Sequence, residues 1–127
     1  MSIELARRAA AGDTGPDVSR WISEAMRRHL YGGADLDTAC GIDRASRLRE
    51  RNQALREAAA LLCGNDGPWR TACRLEAAIK RYEGRIRPQR ERNPALALAP
   101  IDDALRRAFD TRQRVPTTAR NLFELIR

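Results

Sequence analysis

Six cations fall within the thirteen residues KRYEGRIRPQRER at positions 80 to 92, where Lys80, Arg81, Arg85, Arg87, Arg90 and Arg92 oppose only Glu83 and Glu91. The chemistry such a run offers is Coulombic: ammonium and guanidinium groups can follow a phosphate backbone without choosing a base sequence. A second polar set lies further along, where Arg112 and Arg114 precede Thr117, Thr118, Arg120 and Asn121 at the opening of a last amphipathic stretch. Arg and Asn read base edges in a bidentate way, and Thr hydrogen-bonds or touches a thymine methyl. Two helices joined at RVP have the gross layout of a helix-turn-helix, with Arg112 and Arg114 toward phosphates. The same last helix also reads as a packed closing element whose Phe123 and Ile126 offer an apolar contact to a partner protein or a second copy of the chain.

Bond-making chemistry has less to stand on. Hydrolysis needs a nucleophile against a base, a metal cluster, or paired carboxylates in a shielded cleft. His29 is the only histidine, in RRHLYGG, where the last turn of a helix is a favourable place for a cationic or neutral imidazole. Cys40, Cys63 and Cys73 lack any CxxC spacing, which leaves zinc unsupported and reads them as small buried hydrophobes, with Cys63 and Cys73 straddling one turn. Asp35 with Asp37, and Asp102 with Asp103, suit a turn and a helix start rather than a divalent-ion site. No cofactor, no metal and no enzymatic activity are expected.

Charge and composition fit a basic globular protein. The formal charge is +7, from 24 basic and 17 acidic residues, and Lys80 is the one lysine among them. The excess is uneven: residues 1 to 64 carry a net +1, residues 65 to 99 a net +4 and residues 100 to 127 a net +2. Unpaired thiols and the absence of an apolar export stretch in MSIELARRAAAG indicate a cytoplasmic setting, and no run approaches the roughly 20 apolar residues of a membrane span.

The elements that must position these groups are helices. Gly12, Gly15 and Pro16 break a loosely held segment at 1 to 16 from a helix over 18 to 31, whose stripe is Val18, Ile22, Ala25, Met26 and Leu30. A longer helix over 43 to 63 and another over 68 to 83 flank GNDGPW, whose Gly64 ends one and whose Pro68 starts the next, giving a central αα-hairpin. Gly84 and Pro88 predict a basic loop over 84 to 94. Asp102 and Asp103 suit the start of a helix with the stripe Ile101, Leu105, Ala108 and Phe109, and Thr117 after Pro116 suits the cap of the last one.

The expectation is therefore an all-α, compact bundle of five or six short helices in a single domain, 1 to 127. Its expected role is that of a non-enzymatic accessory protein contacting DNA or RNA phosphates, within a larger nucleoprotein assembly. The alternative is an adaptor or inhibitor that docks a protein through helical grooves or the Phe123/Ile126 patch.

Overall fold

The computed structural model describes residues 2–127, and every regular element among the described residues is helical. In chain order these are α1 (Ser2–Ala10), α2 (Pro16–Leu30), α3 (Leu36–Cys40), α4 (Arg44–Leu62), α5 (Pro68–Arg81), a π-helical turn (Tyr82–Ile86), α6 (Arg87–Arg92), α7 (Pro100–Asp110) and α8 (Ala119–Ile126). By its internal contacts the chain divides into two compact units, Met1–Glu50 and Arg51–Arg127, with the division inside α4. The sequence of α4 changes character at the same place: RASRLRE is charged, whereas ALREAAALL supplies the buried Ala54, Leu55, Ala58 and Ala59.

The first unit buries Val18, Ala25 and Ala39, and polar ties add to that small apolar set. The indole N–H of Trp21 donates to the Cys40 carbonyl at 3.2 Å, and Arg28 donates to the Ala39 carbonyl at 3.3 Å. The segment expected to be loosely held is helical over Ser2–Ala10. So short a helix is marginal by itself. Arg8 supplies the missing anchorage by gripping Asp13 at 2.7 Å and Asp17 at 2.6 Å, and charge-assisted bonds of that kind are the strong ones.

The second unit has one apolar core, to which α4 gives Ala54, Leu55, Ala58 and Ala59, α5 gives Ala72, Leu75 and Ile79, α7 gives Ala104, Leu105 and Ala108, and α8 gives Leu122, with Tyr82 and Val115 between them. The two helices flanking GNDGPW thus share a core, as the hairpin expectation requires. Tyr82 stacks on Phe109 with ring centroids 5.3 Å apart, which ties the end of α5 to α7.

The basic stretch is not a loop. From Pro68 to Arg92 the helical backbone is continuous, because α5 runs into the π turn and the π turn into α6. A proline inside a helix lacks its N–H and presses its ring on the carbonyl four residues back, here Gly84 of the π turn. In this chain the turn before Pro88 widens: the Arg87 N–H reaches the Tyr82 carbonyl, five residues back, instead of the usual four. Such π turns relieve a crowded ladder without ending the helix. Gly84 lies within the widened turn, and a Cβ added there would have nothing within 4 Å. Gly84→Ala should therefore stabilise the protein by about 0.5–1 kcal/mol through the backbone entropy that glycine otherwise loses. Thermal unfolding followed by circular dichroism would register a midpoint higher by a few degrees, and a lower midpoint would mean that the turn needs glycine.

Candidate nucleic-acid interface

The continuous helix from Pro68 to Arg92 turns a scattered set of cations into a row. Arg70, Arg74, Arg81 and Arg85 follow one another at spacings of four, seven and four residues, all exposed, with Arg92 seven residues further on. At about 3.6 residues per turn, spacings of four and seven return to the same side of a helix. The last step of four crosses the π turn, where a wider turn also brings the fourth residue back. At about 1.5 Å per residue the row from Arg70 to Arg85 extends roughly 22 Å. The acidic residues of the same rod, Glu76, Glu83 and Glu91, recur at seven and eight residues and so fall on another side.

Position in the rod decides which cations are free. Among the described residues, Arg81, Arg85 and Arg92 have no hydrogen-bond or ion-pair partner, and all three are exposed. Arg74 instead braces the bend before α5: it bonds the Asp66 carboxylate and donates to the Leu62 carbonyl at 3.2 Å, and its guanidinium holds the Asp66 carboxyl below the usual range. Lys80 is 3.6 Å from Glu76 and Arg87 is 3.8 Å from Glu91. The Arg87 guanidinium also lies over the Phe109 ring, 5.4 Å from its centroid. Arg90 turns inward, 3.9 Å from Asp110 and beside the Tyr82 phenol, whose ionisation is pushed up chiefly by burial. Arg74, Lys80, Arg87 and Arg90 thus spend part of their field on carboxylates, and Arg81, Arg85 and Arg92 do not.

The polar opening of α8 is engaged within the chain. Thr118 is the N-cap, its hydroxyl accepting the Asn121 N–H at 3.3 Å, and the Ala119 N–H donates to Glu76 at 2.6 Å. With Ala119 against Glu76 and Phe123 against Trp69, α8 runs antiparallel to α5. A helix meant to present its first turn to a phosphate would not keep a carboxylate there. Thr117, Arg120 and Asn121 remain exposed beside α5, Arg114 is exposed while its carbonyl receives Arg51 at 2.6 Å, and Arg112 leaves α7 in the left-handed region at φ 59°. Phe123 and Ile126 are half-buried and pack against the core. More open is Trp69, which meets Phe123 and is 50% exposed. A cleft of about 330 Å³ lies at the bend, lined by Ala59, Ala60, Pro68, Thr71 and Ile126 with Arg56 and the thiol of Cys63 at its edge.

The charge of the molecule is partitioned in the same sense. Residues 1–50 contain eight basic and eight acidic residues, whereas residues 51–127 contain sixteen basic and nine acidic, so the formal +7 belongs to the second unit. Arg70 and Arg74 are the members of the row that sequence reasoning missed. Their spacing to Arg81 was visible, but a helix presumed to end at Gly84 gave no reason to continue it to Arg85.

Among the described residues no three His, Cys, Asp or Glu side chains converge as a metal site. No helix there is long and apolar enough to cross a membrane. All three cysteines are free thiols. Compared with protein-family models, with curated proteins and with solved structures, the chain matches none.

Proposed function

We propose that this protein is a non-enzymatic accessory component of a cytoplasmic nucleoprotein assembly, and that residues 51–127 hold the phosphate backbone of a nucleic acid. The observation that carries this reading is the row Arg70, Arg74, Arg81 and Arg85 along one rigid rod, with the acids of that rod on another side. Aligned guanidinium groups on one wet surface sum their fields over a polyanion, and a row of this kind tracks charge rather than sequence. Arginine adds the planar fork that matches phosphate oxygens two at a time.

Titration of the full chain against labelled duplex and single-stranded probes at two salt concentrations tests the reading. Four phosphate contacts give a slope of log K on log salt of about −3, so affinity should fall roughly 50- to 150-fold between about 50 and 200 mM salt. Failure to bind at the lower salt, or binding indifferent to salt, would remove phosphate contact as the mechanism and return the choice to protein docking.

A further inference from the structure

The last two turns of α4 present a side made of small residues. Arg56, Ala59, Ala60 and Cys63 recur at helical spacing, which sets them along one side of that helix. Facing them are Pro68 and Thr71 at the start of α5 and Ile126 at the end of α8, and the space between is the cleft of about 330 Å³. The alanines have no side chain long enough to cross it. A cleft of that size, mostly apolar with few polar groups, is at the small end of the sites that hold small molecules. Its lining contains one charged group, Arg56, and no acid. The Arg56 Nε donates to the Leu125 carbonyl at 3.4 Å, which tethers the guanidinium to the last turn of α8. Among the described residues no carboxylate pairs with Arg56, so its two Nη groups have donors to give. Arg56 and Cys63 are seven residues apart, about 10 Å along the helix, with only Ala59 and Ala60 between them on that side.

Independently of the arginine row on α5, we propose that this cleft binds a small amphipathic carboxylate, with its head on the Arg56 Nη groups and its apolar chain along Ala59 and Ala60 toward Cys63. Charge sets the head. A single guanidinium offers one planar fork that two carboxylate oxygens fill, whereas the second charge of a phosphate would find no partner in the lining. A cationic head would meet Arg56 with no acid to balance it. The walls set the tail, because an apolar chain laid on alanine, proline and isoleucine leaves water.

The thiol at the far end of the cleft reports occupancy. Cys63 is exposed while Cys40 and Cys73 are half-buried, so alkylation of the full chain by iodoacetamide should show a fast phase that Cys63→Ser removes. Octanoate is the probe and octylammonium its cationic counterpart, and about ten non-hydrogen atoms set an expected Kd of roughly 0.1–5 mM. At about ten times that Kd, with ionic strength matched, octanoate should slow the fast phase roughly tenfold by mass action. Octylammonium at the same concentration should leave the rate unchanged. Arg56→Gln should weaken octanoate about 10- to 100-fold, the share of a charge-assisted hydrogen bond, and an unchanged rate without ligand would show that the variant is folded. The Arg81→Ala, Arg85→Ala double variant, which loses charge elsewhere, should bind octanoate like the parent. Absence of saturable protection would overturn the proposal. So would equal protection by the two amphiphiles, or full protection of Arg56→Gln at the parent's concentration, since neither leaves a role for the guanidinium. Loss of protection in the α5 double variant would overturn it too, by assigning the effect to bulk charge.

Discussion

Replacing Arg81 and Arg85 together by alanine should weaken nucleic-acid binding by about 50- to 200-fold near 50 mM salt and flatten the salt slope by about 1.4 to 1.8, the share of two phosphate contacts. Both side chains are exposed and unpaired among the described residues, so folding should hardly notice their loss. Total charge is the competing explanation, and a matched variant separates the two. Arg20 and Arg27 of α2 are also exposed, and Arg20→Ala with Arg27→Ala lowers the formal charge by the same amount in the other unit. If position matters, that variant keeps most of the parent affinity. Equal losses from the two pairs would mean that the protein attracts polyanions by bulk charge, and the row would have no special standing. Arg74 is a poorer choice for this experiment, because its removal also frees the bend that it braces against Asp66 and Leu62.

Tyr82→Ala should cost about 3–5 kcal/mol, a large share of what a small domain has to lose. The ring is 2% exposed and stacks on Phe109, so truncation leaves a cavity between the rod and α7 that neighbouring alanines cannot fill. The expected drop in thermal midpoint is about 12–30 °C. Tyr82→Phe keeps the ring and gives up only the hydroxyl beside Arg90, and should cost about 1 kcal/mol or less. Circular dichroism melts of the full chain compare the two, and a Tyr82→Ala midpoint within a few degrees of the parent would show that this stack does not secure the rod.

Helix identity was largely legible because apolar residues recur at helical spacing: Ala72, Leu75, Ile79 and Tyr82 announce the buried side of α5, and Leu105 and Ala108 that of α7. Composition also told what the interior is made of, since a chain poor in aromatics packs with alanine and leucine. What misled was punctuation. Gly84 and Pro88 have local preferences that argue for a break, but a widened turn satisfies the proline within the helix, and no local rule distinguishes that outcome from a loop. The consequence reached the site, because the arginine row exists only if the rod is unbroken. The polar start of α8 misled differently: the cap is Thr118, one residue beyond the Thr117 expected, and the partner of the first amide, Glu76, is 43 residues away in sequence. Arg8 has the same character, binding Asp13 and Asp17 across a glycine-rich break that by composition reads as slack.

A π turn holds one residue more than a regular helix would place there, which gives the rod a phase offset: everything beyond Ile86 is rotated relative to the azimuth an ideal α-helix would assign it. That offset is what directs Arg90 toward Asp110 and sets Arg87 over Phe109. Deleting a single residue between 82 and 86 would let the ladder close in ordinary register, swing α6 by about 100° and carry those two guanidinium groups off the surface of α7. The widened turn is thus a gear between the two halves of the rod, turning Arg87 and Arg90 of the second half onto α7 while Arg81 before it and Arg85 within it stay free.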